Sequence, residues 1–330
     1  MRLLSVIIPS YNTELYIERC LDSLLYDEEI IDKLDIIIVN DGSSDKTPKI
    51  AKKYQESFPK TITVINKENG GHGSTVNAGL KIAKGKYLKI IDSDDWVNVF
   101  DFSDFVKRLE EVDDDLVITD YVQSVLYDGI EDRVSFFHGD DSSKPIDQIR
   151  DISCPNGVDF ALSIHAITVK TEKLKEVWGE GLLEHTFYVD MQFAAKVLEC
   201  TKTFRTLDYT IYVYFIGRPD QSVADFFRRR SDHERVLRWI VTELDSGEVQ
   251  ESEFLTFMLK LMLKSMINTH YEAYYQTLEA TRDQLQEIFD FDVFLMARCP
   301  DLHNGLSAAY GLRRRLSPMR RFLKRKWLTM

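Results

Sequence analysis

Asp92, Asp94 and Asp95 lie within Ile90-Ile91-Asp92-Ser93-Asp94-Asp95-Trp96, three carboxylates at the end of an apolar run that reads as a buried strand. Like charges a few ångströms apart raise one another's pKa and oppose ionisation unless a cation sits among them. Hard oxygen ligands suit Mg²⁺ or Mn²⁺, which are commonly held by one or two carboxylates, with water and substrate phosphate in the other positions. The competing reading is an Asp/Ser-rich turn that merely ends a strand.

The elements that would position these carboxylates repeat along the N-terminal hundred residues. Leu3-Leu4-Ser5-Val6-Ile7-Ile8-Pro9 is a β-branched run closed by proline, and Ile17, Cys20, Leu21, Leu24 and Leu25 then recur at helical spacing. Asp35-Ile36-Ile37-Ile38-Val39 gives a second strand and Asn40 to Asp45 a turn. Thr47-Pro48 is the expected N-cap and first residue of the next helix. Ile62–Ile65 predicts a third strand, Ser74–Ala83 a third helix and Tyr87–Ile91 a fourth strand. Such alternation predicts an α/β fold with a mostly parallel sheet covered on both faces.

In open sheets of this kind ligands bind beyond the carboxyl ends of the strands. Tyr11-Asn12, Asp41-Gly42, Asn69-Gly70-Gly71 and Asp92 to Asp95 all fall there and should share one crevice. Aspartate accepts hydrogen bonds from a base or a ribose, tyrosine offers a flat face, and glycine permits close backbone approach, so the expected ligand is a nucleoside diphosphate with its cation. No Gly-x-Gly-x-x-Gly follows the first strand and no glycine-lysine phosphate loop is present, which disfavours a dinucleotide dehydrogenase or a P-loop kinase.

Ser5–Asn12, Ile38–Asp45, Asn69-Gly70-Gly71, Asn77-Ala78-Gly79 and Asp92–Asp95, in this order and spacing, resemble family two glycosyltransferases of the GT-A fold. The resemblance implies a Rossmann-like domain and an inverting transferase that uses a nucleotide sugar, most often a UDP-sugar, with Mn²⁺ or Mg²⁺. It implies a donor-binding set of Pro9, Tyr11, Asn12, Asp41, Asn69, Gly70, Asn77, Asp92 and Ser93, with Pro9, Tyr11 and Asp41 at the base. Asp92 would face the ribose or the metal, and Asp94 would ligate the metal. Relatives commonly carry an arginine before the Asn-x-Gly element, where this chain reads Gly73-Ser74-Thr75-Val76, leaving Lys67, His72 or Lys84 as substitutes near the diphosphate.

An inverting transfer needs a base for the acceptor hydroxyl. Asp190, which opens an apparent helix through Phe193, Val197 and Leu198, resembles the Glu-Asp element that supplies it, although Val189 replaces the first acid. A helix N-terminal aspartate stabilised by the macrodipole is the structural alternative, and Glu184 is the second candidate base. His165, within the apolar segment Ala161–Val169 expected as a strand, is read either as a hydrogen-bonded core residue or as a contact to acceptor or diphosphate. Arg218-Pro219-Asp220-Gln221-Ser222 resembles an element that approaches donor phosphates, with a plain turn as the alternative. Asp113-Asp114-Asp115 and Gly139–Ser143 read as solvated loop.

The chain has 330 residues, 44% of them hydrophobic and 12% aromatic, enough for one domain of about 220 residues and a smaller unit. Its four cysteines, Cys20, Cys154, Cys200 and Cys299, have no Cys-x-x-Cys spacing and read as reduced cytosolic thiols. The first strand is expected to begin the chain without a signal peptide, and no run approaches the ~20 apolar residues of a membrane span. Glycines thin out after about Phe226, and helical patterns such as Phe254–Met266 and Leu278–Phe289 take over.

Leu312–Met330 carries eight cations and no acid, whereas the rest of the chain has 34 basic against 54 acidic residues. With Leu312, Leu316, Met319, Phe322, Leu323 and Trp327 interleaved, this tail resembles an interfacial helix on anionic lipid; docking onto an acidic protein surface is the alternative. Nucleic acid is disfavoured, because the acidic body would repel phosphate.

The expected organisation is a catalytic domain over 1–225, with 1–100 binding the nucleotide sugar and 101–225 forming the acceptor side. A helical region over 226–311 and the basic tail 312–330 would follow. The expected function is transfer of a sugar to a saccharide or lipid-linked saccharide in surface polysaccharide synthesis, at the cytoplasmic face of the cell membrane; homo-oligomerisation is left open. The alternatives are a non-catalytic sugar-nucleotide or membrane-binding module of the same fold, and a nucleotidyltransferase.

Overall fold

A computed structural model describes residues 2–125, 131–136, 139–151, 162–216, 230–244, 252–262, 290–291, 293–298 and 300. The expectations placed on Arg218–Ser222, Leu278–Phe289, the tail 312–330, Cys154 and Cys299 lie outside these residues. The chain divides into two units, Met1–Asp225 and Phe226–Met330.

The first unit opens with the predicted strand–helix repeats: β1 (Leu4–Ser10), α1 (Ile17–Leu24), the single turn α2 (Glu28–Ile31), β2 (Leu34–Asp41), α3 (Thr47–Ser57), β3 (Ile62–Lys67), α4 (Gly71–Ile82) and β4 (Tyr87–Ile90). Every residue of β1 and β2 is buried, which is why both read as nearly unbroken apolar runs. Then come β5 (Trp96–Val97), α5 (Val99–Arg108), β6 (Leu116–Val125), β7 (Glu131–Val134), β8 (Lys144–Pro145), a 3₁₀ turn, β9 (Ile167–Lys170), α6 (Thr171–Glu176), α7 (Val189–Cys200) and β10 (Thr203–Ile216). The strands form one mixed, largely parallel sheet in the order β3-β2-β1-β4-β9-β6-β10-β5, with β7 beside β6 and β8 beside β10. β1, β2, β3 and β4 pair in parallel, as do β6 and β10, whereas β9 runs antiparallel between β4 and β6.

Several local expectations are corrected. Thr47 does not cap α3: Lys46 occupies the cap, and the Thr47 hydroxyl accepts the Thr13 N–H at 2.8 Å, stitching the loop after β1 to the loop after β2. Helix α4 begins at Gly71 rather than Ser74, so the glycines form its first turn. His165 lies in the turn before β9, not in a strand. Asp114 and Asp115 are buried: Asp114 meets Arg205 Nε at 2.7 Å and Asp115 accepts the Lys202 N–H at 2.9 Å, while Asp113 alone of the three is exposed.

In the second unit, α8 (Arg230–Leu244) buries Val236, Leu237, Ile240 and Val241 at helical spacing, and the helical stretch 253–262 buries Leu255, Met258, Leu259 and Met262. The Arg238 guanidinium lies 4.4 Å from the ring centre of Phe294, which stacks on Phe291. Among the described residues no helix is long and apolar enough to cross a membrane.

Candidate active site

The carboxyl ends of β1, β2, β3 and β4 carry the loops singled out in the sequence, and side-chain hydrogen bonds knit them together. Asn12, at φ 51°, donates its N–H to Ser43 Oγ at 3.0 Å and accepts the Ser44 N–H on its side-chain oxygen at 2.9 Å. Ser93 Oγ pairs with Thr13 Oγ1 at 3.0 Å, and the Ser93 N–H reaches the Pro9 carbonyl at 3.3 Å. Asn12 and Ser93 therefore shape the loops. Tyr11, by contrast, is half-exposed and presents its ring at the surface.

Asp41 is buried and organises the segment before α4. One carboxylate oxygen accepts from Lys67 Nζ at 2.8 Å and the Gly70 N–H at 2.9 Å, and the other accepts the Gly71 N–H at 2.8 Å. Asn69 donates its side-chain amide to the Asp41 carbonyl at 3.0 Å. Lys67 also reaches Ser74 Oγ and the Glu68 carbonyl. Its charge is spent within the protein, which corrects its candidacy as a diphosphate contact. Lys84 is corrected too: its N–H meets Ser5 and Asp35 at the opposite, amino end of the sheet.

The glycines at the start of α4 serve a protein contact. Gly71 has φ 82°, and a Cβ there would lie 3.3 Å from His185, while a Cβ on Gly73 would collide with the Leu183 carbonyl. The segment 182–186 packs directly on this turn, with the His185 N–H donating to the Gly70 carbonyl at 2.5 Å. Asn77 anchors the same segment: its amide NH₂ donates to the Leu182 carbonyl at 2.9 Å, and its oxygen accepts from the Leu182 N–H at 2.8 Å and the Trp178 indole at 3.2 Å. Its amide is thus committed to the fold.

That anchored segment leads to Asp190 in the first turn of α7, whose N-cap residue Tyr188 is left-handed at φ 64°. Burial raises the Asp190 pKa and the Asp92 charge adds to the rise, against the opposing pull of His72 and the backbone N–H groups of the helix start. His72, in the first turn of α4, lies between the two acids, with Nε2 2.9 Å from Asp92 Oδ1. Burial works against its charge, but Asp92, Asp190 and Asp94 hold its pKa above the ordinary histidine value. Glu184, the other candidate base, is exposed.

Within the acidic loop the three aspartates are unequal. Asp92 and Asp94 are partly exposed, whereas Asp95 is buried, accepting the Tyr212 hydroxyl at 2.5 Å and the Phe215 N–H at 2.8 Å. Burial, together with the charges of Asp94 and Asp92, holds the Asp95 carboxyl well above the usual range. The Asp92 N–H donates to the same Tyr212 hydroxyl at 3.2 Å. Arg19 braces the loop, stacking on Trp96 at 3.5 Å and donating to the Asp94 carbonyl at 3.0 Å.

Two residues that the sequence reading undervalued or missed lie beneath this loop. The His165 ring packs against Tyr121, Tyr212 and Tyr214, and burial depresses its pKa to about 4. Lys89 is buried in β4 and donates to the carbonyls of His165 and Ile167 at 2.6 and 3.2 Å; burial lowers its pKa to about 7. The signal for Lys89 was there, a lone cation inside Tyr87–Ile91. Asp92, Asp95 and His165 present potential ligand atoms all within 4.8 Å of one another. Crowded carboxylates, one of them raised in pKa by burial and by the others, with an imidazole alongside, fit a divalent cation.

The family model described as glycosyl transferase family 2 matches residues 5–167, which include the acidic loop, Asp41 and the α4 turn. Residues 5–167 belong to glycosyl transferase family 2. EpsH of Bacillus subtilis (strain 168) is 41% identical over 117 residues, 36% of this chain and 33% of that protein. The minor teichoic acid biosynthesis protein GgaB of the same organism is 37% identical over 107 residues, 32% of this chain and 12% of that protein. These matches therefore span a third or less of the relatives' length. The crystal structure of S. aureus TarS 1-349 in complex with UDP-GlcNAc superposes with a TM-score of 0.71 at 22% identity, covering 92% of this chain and 83% of that one. The shared GT-A fold accounts for the mixed sheet and for loops converging at its carboxyl edge.

Proposed function

We propose that this chain is an inverting glycosyltransferase that moves a sugar from a nucleotide sugar, a UDP-sugar by preference, to a hydroxyl of a saccharide or lipid-linked saccharide. The observation that carries this reading is the convergence of the Asp41-organised turn, the acidic loop and Asp190 around His72. The likeness to GgaB, a minor teichoic acid biosynthesis protein, and to TarS, whose structure holds UDP-GlcNAc, supports a donor of the UDP-sugar kind and a cell-surface polymer as the product.

In this mechanism Pro9 and the half-exposed ring of Tyr11 border the base. Asp41 Oδ2 accepts one hydrogen bond from Gly71 and keeps capacity for another from a base N–H. A divalent cation held by Asp92 and a second carboxylate of the acidic loop, Asp94 by the family resemblance, would neutralise the diphosphate of the departing nucleotide. The acceptor oxygen bonds to the anomeric carbon as the carbon–oxygen bond to the diphosphate breaks on the opposite face. Asp190 takes the acceptor's proton. Its raised pKa makes it a better base than an exposed aspartate, and the start of α7 fixes its position. Arg19 and Tyr212 hold the acidic loop through the Asp94 carbonyl and the Asp92 N–H.

Asp190→Asn tests the assignment: turnover should fall by about 10²–10⁴-fold with UDP affinity retained. Unchanged turnover would remove Asp190 as the base, and a product of retained anomeric configuration by NMR would overturn the inverting mechanism. The segment 312–330 is proposed to hold the enzyme at the anionic inner face of the cell membrane. Cosedimentation with phosphatidylglycerol vesicles should weaken in its absence and fall as salt rises.

A further inference from the structure

We propose that His165 supplies a nitrogen ligand to the divalent cation at Asp92, with Asp95 in the place that the family resemblance gives to Asp94, and that this nitrogen makes the site prefer Mn²⁺ to Mg²⁺. The inference rests on the nucleotide-sugar reading and goes beyond it, naming a ligand and an ion preference that the acidic loop alone does not imply.

The geometry points there from three sides. The candidate ligand atoms of Asp92, Asp95 and His165 all lie within 4.8 Å of one another. Donors on one octahedral ion at ~2.1 Å stand about 3.0 Å apart when adjacent and about 4.2 Å when opposite, so side-chain shifts on the order of 1 Å would bring the set onto one cation. Each member is also held by an outer partner, as metal ligands are. Ser163 Oγ lies 2.7 Å from His165 Nδ1, leaving Nε2 as the ligating nitrogen, and the Tyr212 hydroxyl bonds Asp95 at 2.5 Å. His72 Nε2 lies 2.9 Å from Asp92.

The imidazole is fixed in place. It stacks on Tyr214 with ring centres 4.4 Å apart, and Tyr121 and Tyr212 pack against it at 5.1 and 4.7 Å. Lys89 clamps the turn from below through the carbonyls of His165 and Ile167. A histidine serving only to fill the core needs no pair of carboxylates at its edge. Mg²⁺ favours oxygen donors and keeps much of its water, whereas transition ions accept a neutral imidazole.

The test uses the full chain, MnCl₂ and electron spin echo spectroscopy of bound Mn²⁺, with and without UDP. Wild-type protein should show the modulation of a directly bound imidazole nitrogen, altered by [¹⁵N]histidine labelling, lost in His165→Asn and kept in His72→Gln. Free Mn²⁺ measured by EPR should show affinity falling roughly tenfold or more in His165→Asn. Mg²⁺ should also displace Mn²⁺ more easily from that variant than from wild type. Bound Mn²⁺ without nitrogen modulation in wild type would overturn the inference and leave the transferase reading standing; so would modulation lost in His72→Gln but kept in His165→Asn. The wild-type spectrum is informative even if the variants fold poorly. Failure to bind Mn²⁺ with UDP present would overturn both the inference and the metal-dependent reading on which it rests, whereas UDP binding without metal would separate that result from loss of the donor site.

Discussion

Gly73→Ala should damage this protein although it places a better helix former inside a helix. On propensity alone, replacing a glycine in a helix interior with alanine stabilises by about 1 kcal/mol. Here the added Cβ would overlap the Leu183 carbonyl oxygen and approach Leu182 Cβ to 3.1 Å and the Leu183 carbonyl carbon to 3.2 Å. Restoring ordinary contact at ~3.5 Å pushes the segment 182–183 away by ~1 Å. That segment is held by Asn77 on both polar atoms of Leu182 and by Gln192 Oε1 on the Leu183 N–H, so the shift strains three hydrogen bonds. At about 1 kcal/mol each their weakening outweighs the propensity gain, for a net loss of about 1–3 kcal/mol. The same segment runs into Asp190, and a displacement of ~1 Å at a reacting group costs on the order of 10²-fold in rate. Urea unfolding would give the stability change, and donor turnover at saturating acceptor would give the rate, with Lys81→Ala on the exposed side of α4 as control. A Gly73→Ala protein as stable and as active as Lys81→Ala would refute the packing argument.

Asn77→Ala should lower the urea midpoint by the equivalent of about 2–3 kcal/mol while leaving UDP affinity within about twofold, since its amide is committed to Leu182 and Trp178. Isothermal titration with UDP checks the second half. Arg205→Met strands the buried Asp114 carboxylate and should cost about 3–5 kcal/mol, whereas neutralising both partners should recover much of that loss. Lys89, with a folded pKa near 7 against 10.5 in the unfolded chain, holds fewer protons folded than unfolded between those values. Its burden on stability is therefore full below pH 7 and lifts as the pH rises towards 10.5. Between pH 7 and 9 the urea midpoint of wild type should gain relative to that of Lys89→Met, and parallel profiles would show that Lys89 does not titrate in this range.

The strand–helix repeats were legible because β1 and β2 are buried on both faces, which forces continuous apolar runs that no half-exposed strand would show. The loops at their ends were legible for the same reason, since aspartate, asparagine and glycine stand out against such runs. Pairwise partners were not. Nothing local marks Asp114 as buried, because the arginine that neutralises it stands 91 residues away. Nor does spacing distinguish a glycine that admits a ligand from one that admits a neighbouring loop, and Gly71 and Gly73 admit the segment leading to Asp190. His165 read as part of a strand because its neighbours are apolar, yet they are apolar because the turn itself is packed beneath the site.

β10 is the last strand among the described residues of the first unit, and its Tyr212 and Phe215 hold the acidic loop through bonds spanning 117 to 120 residues. The order in which the chain leaves the ribosome then bears on when the donor side can exist. The early parallel strands can pair as soon as they emerge, but Asp92 and Asp95 lack these braces until the segment after α7 has been made and has paired beside β6. Contacts this distant close slowly. A fragment ending before Thr203 would keep every loop at the ends of β1 to β4 and still lack the braced acidic loop, so the smallest piece able to recognise a nucleotide extends at least through β10, well past the motifs of the first hundred residues.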